Sequence, residues 1–119
     1  MTSVLNVDTI AAKDGTSAAT LTKQYAAKTW VNGDTDASVL DSANVSSSSD
    51  EGTGRYGYTF TNSMVNALYV GSGASEGGAT IFGIHQTDKT TSGCHVRNVS
   101  HADVDTDIKH GMVIHGDLA

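Results

Sequence analysis

The run Asp103-Val104-Asp105-Thr106-Asp107 places carboxylates at alternate positions, which is how a calcium-binding loop begins. Such a loop needs glycine at its sixth position and glutamate at its twelfth, and here those positions hold Ile108 and Ile114. The run therefore reads as a solvated acidic loop. Gly71-Ser72-Gly73 follows an apolar stretch and imitates the start of a dinucleotide-binding turn, but the third glycine is out of place and no helical pattern follows. The histidines His85, His95, His101, His110 and His115 include no pair at i, i+2 or i, i+4, the spacings that put two ligands on one strand or helix face. A three-fold axis would relax that demand, because one histidine per chain could then supply three nitrogens. Cys94 beside His95 could be imagined as nucleophile and base, yet neighbours on a strand point to opposite faces and nothing orients either one. Cys94 reads as a packed thiol. The expectation is a protein with no catalytic residues, no metal and no cofactor, and not an enzyme.

The elements that must position these side chains are strands. In Arg55-Tyr56-Gly57-Tyr58-Thr59-Phe60 the aromatics alternate with small or polar residues, the period of a half-buried strand, and this strand is expected to anchor the core. Residues 67–70 read as the next strand, closed by Gly71-Ser72-Gly73. Residues 28–32 read as a short strand with the only tryptophan, Trp30, in the core, ended by Gly33-Asp34. Residues 37–45 alternate weakly through Val39, Leu40 and Val45, and residues 46–52 read as a solvated loop. Further strands are expected over 79–86, with Phe82 and Ile84 on one face with Thr80, and over 93–99. A last one is expected over 110–115, where Met112, Val113 and Ile114 suggest cover on both faces. Between them lie a turn at 88–92 and a polar loop at 100–109.

The resulting fold class is all-β, a β-sandwich of about seven short antiparallel strands. Residues 1–24 carry Val4, Leu5, Val7, Ile10 and Leu21 among polar residues, with a turn at Asp14-Gly15. These large side chains are too few to hold the segment alone against about 1 to 2 kcal/mol of backbone entropy per ordered residue. The segment is expected to be extended and to serve attachment or trimer intertwining, with residues 25–119 as the sandwich domain. Residues 23–27 could be a helical turn or a connector.

Composition supports the need for partners. Of 119 residues 38% are hydrophobic and 6% aromatic, which leaves a thin monomer core, and the complete absence of proline leaves strand edges to be protected by other means. The net charge of −6 argues against a nucleic-acid partner or an anionic membrane surface. One cysteine rules out an intrachain disulfide framework, and no segment has the pattern of a signal peptide or the length of a membrane span. Synthesis in a cytoplasm is expected.

Residues 26–32 (AAKTWVN), 44–47 (NVSS), 50–56 (DEGTGRY), 60–64 (FTNSM) and 66–70 (NALYV), in that order, resemble the C-terminal β domain of bacteriophage tail fibres and related virion proteins. Residues 5–10 (LNVDTI) resemble the opening of short fibre proteins of tailed phages. The chain departs from the pattern in turning at Asn32-Gly33-Asp34 without an aromatic and in carrying Val65 where proline is usual. The resemblance implies a homotrimeric fibre or fibre tip on the virion, contacting other virion proteins and adsorbing to a host surface glycan or protein. It is also compatible with a capsid decoration or head-fibre protein, and more remotely with a glycan-degrading tailspike. For the receptor-binding reading the candidate contacts are Lys89, His101, Asp103 and Asp105, because loops carry function on a rigid β scaffold.

Overall fold

The computed structural model describes residues 13–15, 27–77 and 80–119. Val4, Leu5, Val7, Ile10, Leu21 and the connector at 23–26 lie outside them, while residues 13–15 form the expected turn, with Gly15 at φ 75°. Eight strands follow in order: β1 Thr29–Gly33, β2 Val39–Ala43, β3 Val45–Gly52, β4 Arg55–Phe60, β5 Val70–Ser75, β6 Thr80–Ile84, β7 Gly93–Ser100 and β8 His110–His115. The one helical element among the described residues is a 3-10 turn, Gln86–Asp88.

The strands form two antiparallel four-stranded sheets, ordered β2-β1-β8-β5 and β3-β4-β7-β6. Tyr56, Tyr58 and Phe60 of β4 all face inward, as their alternation requires, and meet Val31 of β1 and Met112 and Ile114 of β8. The expected all-β sandwich is what forms, with eight strands in place of about seven.

Four local expectations fail, each for a reason of parity or packing. Trp30 is 36% exposed on the outer face of the first sheet, and its neighbour Val31 takes the core position. The loop expected over 46–52 is instead part of β3, an edge strand whose serines need no apolar partner because backbone pairing to β4 holds them. In β8 His110, Met112 and Ile114 are buried while Val113 is 37% exposed, so this strand is covered on one face. The strand expected at 67–70 starts only at Val70 and runs through the glycines. Gly71 and Gly73 point inward opposite Ile114 and Met112, and a Cβ on either would collide with Ile84 or Phe82 of β6. Their missing side chains let the two sheets close along that edge.

At the opposite edge the chain passes from one sheet to the other at Asn44, the single residue between β2 and β3, with φ 60°. Asn44 tolerates the left-handed region and fixes the corner: its side-chain nitrogen donates to Thr29 Oγ1 and the Asn62 carbonyl, and its oxygen accepts from the Asn62 amide. Asn44→Ala is expected to lower stability by about 1 to 2 kcal/mol, and Asn44→Gly, which keeps the backbone but loses the bonds, by less than that. Thermal unfolding of both variants checks the order.

His110 sits at the centre of the sandwich. Its ring stacks on Tyr56 at 4.6 Å between centroids, lies 5.9 Å from Phe82, and its Nε2 is 2.6 Å from the Tyr58 hydroxyl. Nδ1 lies 3.1 Å from the Ile108 carbonyl and 3.3 Å from Asn98 Nδ2; donation to the shorter, carbonyl contact leaves Nε2 to accept from Tyr58. Burial holds the imidazole below its ordinary value of 6.5, in the neutral form. The unfolded chain therefore binds a proton near that value that the folded chain does not. Stability contributed by neutral His110 is complete above pH 6.5 and is lost as the pH falls towards the lower folded value. Urea midpoints measured from neutral to mildly acidic pH should fall, and the slope should flatten in His110→Phe.

Candidate functional site

The polar side chains gather on the outer face of the second sheet. Register sets them in two rows across the strands: Arg55 of β4 stands opposite Arg97 of β7, which stands opposite Gly83 of β6, and Ser49 of β3 stands opposite Gly57, which stands opposite His95. The His85 amide donates to the His95 carbonyl and extends the second row. A groove of about 190 Å³ runs over this face, lined by Glu51, Arg55, His85, Asp88, His95 and Arg97. A Cβ on Gly57 would press on Ser49 Oγ and Glu51 Oε1 and come within 3.5 Å of His95 Nε2, while above Gly83 the space is open.

Like charges directly opposite on paired strands repel, so the Arg55–Arg97 pair needs a counterion. Asp105, from the loop after β7, supplies it: one oxygen accepts from Arg97 Nε at 2.7 Å and the other from Arg55 Nε at 3.2 Å. The Arg97 hydrogen bond first, then the two positive charges, hold the Asp105 carboxyl below its usual value. Asp103, at φ 59°, reaches Arg97 only at 3.8 Å and is 86% exposed. On the other flank Asp88 accepts from His85 Nδ1 at 2.6 Å, and Glu51 accepts from Ser49 Oγ at 2.5 Å.

Of the residues singled out from the sequence, Asp105 bonds both arginines of this groove and Asp103 approaches one of them, but neither lines it. His101 is exposed in the same loop, and Lys89 lies elsewhere, its ammonium donating to the Tyr69 carbonyl at 2.8 Å over the Tyr69 ring. Asp107 is held as a structural acceptor for the Gly54 amide and the Tyr56 hydroxyl, so the carboxylates of the acidic run serve different partners. Among the described residues no three His, Cys, Asp or Glu side chains are grouped to hold a metal ion. Cys94 is fully buried with its sulfur 3.7 Å from that of Met112, and burial pushes its thiol up to about 12, the setting of an inert packed group. Arg55, Arg97 and Glu51 escaped sequence reasoning because only strand pairing brings them together, and the sequence offers His95 only as a metal ligand or as a base for Cys94.

The first sheet shows a different outer face. Trp30, Val113 and Ala74 line a shallow hollow of about 390 Å³ with Ser72 and Gly111, and Val70 is 66% exposed beside it. Against models of protein families, characterised proteins and solved structures, the chain finds no match. The chain presents two unlike faces, one polar and grooved, one apolar and shallow.

Proposed function

We propose that this chain is a phage virion protein, a tail fibre or fibre tip that binds a host surface receptor. The observation that carries the reading is the convergence of donors and acceptors from β3, β4, β7 and the connection after β6 in one open groove on the sheet. That arrangement suits reversible recognition of a polar surface molecule. The order of sequence segments shared with fibre β domains agrees with it. We read the chain as a binding protein.

The apolar face of the first sheet favours a second component of the proposal, association with further virion chains. Exposed apolar surface around Trp30, Val70 and Val113 is the kind that contacts cover, and a homotrimer built with residues 1–24 would supply them. Light scattering at micromolar concentration should give three times the chain mass, and a stable monomer would remove the trimer. The same face suits a capsid decoration or head-fibre protein without a receptor role. Locating the protein in a density map of the intact particle separates the readings. Adsorption supplies the functional test: purified protein should compete with phage for host cells, and failure to compete would favour the decoration reading.

A further inference from the structure

We propose that the groove on the second sheet takes a carboxylate-bearing sugar residue, with the ligand carboxylate on the outward ends of the Arg55 and Arg97 guanidinium groups. The inference deepens the receptor-binding reading and rests on it for its biological setting only. Two guanidinium groups stand in cross-strand register, and Asp105 bonds both through Nε alone. Among the described residues the terminal nitrogens of both forks have no other close partner, apart from the long Arg97–Asp103 approach of 3.8 Å. One close carboxylate thus serves two cations, and a second planar carboxylate matches what the pair still lacks, since the guanidinium fork fits that geometry.

The flanks define the rest of the ligand. Glu51 and the His85–Asp88 pair offer acceptors to sugar hydroxyls, and His95 offers a ring nitrogen. The carboxylates of Glu51 and Asp88 oppose any anion, and a phosphate with nearly two charges more than a carboxylate with one. The groove has room for a single sugar unit. At −6 the chain as a whole does not draw polyanions from a distance, so selectivity comes from the local fit.

The test uses the full chain and free sugars followed by amide NMR, with glucuronate, glucose and glucose 6-phosphate as probes. Glucuronate should shift the amides around Arg55, Gly57, His95 and Arg97 saturably, and bind at least about tenfold more tightly than either other sugar. Arg55→Gln should lose about tenfold in glucuronate affinity. Lys109→Gln, which removes the same charge away from the groove, should not. Asp105→Asn gives the opposite sign: it removes the competing carboxylate and should tighten glucuronate binding, whereas a purely structural Asp105 would make it weaker. Equal binding of glucose and glucuronate, shifts mapping away from these strands, or undiminished binding by folded Arg55→Gln would overturn the proposal. The two readings fail separately. Host adsorption that glucuronate does not inhibit removes the ligand class and leaves the fibre reading, while glucuronate binding without host adsorption does the reverse.

Discussion

Replacing Tyr56 by alanine is expected to cost about 3 to 5 kcal/mol, enough to leave much of a domain of this size unfolded at room temperature. Tyr56 has no exposed surface, stacks on His110, and sends its hydroxyl to the Thr35 carbonyl and to Asp107. Truncation removes the ring on which the central imidazole rests. Tyr56→Phe isolates the hydroxyl and should cost about 1 kcal/mol. Urea unfolding of both variants measures the difference. An alanine variant within about 1 kcal/mol of the parent would show that the stack is not the centre of the core.

Gly33→Val should be comparably damaging, by about 3 to 5 kcal/mol, although it adds atoms and removes none. The last residue of β1 faces the Tyr58–His110 hydrogen bond: an added Cβ would collide with the Tyr58 hydroxyl and lie 2.9 Å from His110 Nε2. Either the strand moves away from β8 or the 2.6 Å hydrogen bond is broken inside the core. Removing the hydroxyl tests which occurs. If the bond is what yields, Gly33→Val combined with Tyr58→Phe should be less destabilised than the sum of the two single changes. Strict additivity would place the damage in the β1–β8 pairing.

The sequence made the inward face of β4 legible because large aromatic side chains at alternate positions leave one arrangement that buries them. It made β8 partly legible, since His110, Met112 and Ile114 share a parity, but three consecutive apolar residues hid the exposed side of Val113. Trp30 misled because size suggests burial, whereas the side a strand residue faces is set by register, and register put Val31 inside. β3 carries no apolar alternation beyond Val45, so its strand character comes from β4 alone. At the groove, the acidic loop was visible as a polar segment, but its counterpart was not. Arg55 and Arg97 are linked by the β4–β7 register, a long-range pairing that no local pattern encodes.

The sheet order has a consequence for how the protein comes into being on the ribosome. β8 is the last of the eight strands to be synthesised, yet it lies between β1 and β5 in the first sheet. Until it emerges, β1 has only β2 beside it and β5 has no partner in its own sheet, so Val31, Gly71 and Gly73 wait with their inner faces open. The second sheet, by contrast, can assemble once β7 has left the exit tunnel. Nascent chains halted between β7 and β8 should therefore present a formed Arg55–Arg97 pair on a half-built sandwich. In that interval the uncovered inner face invites wrong associations, and slow elongation through residues 100–109 would prolong it.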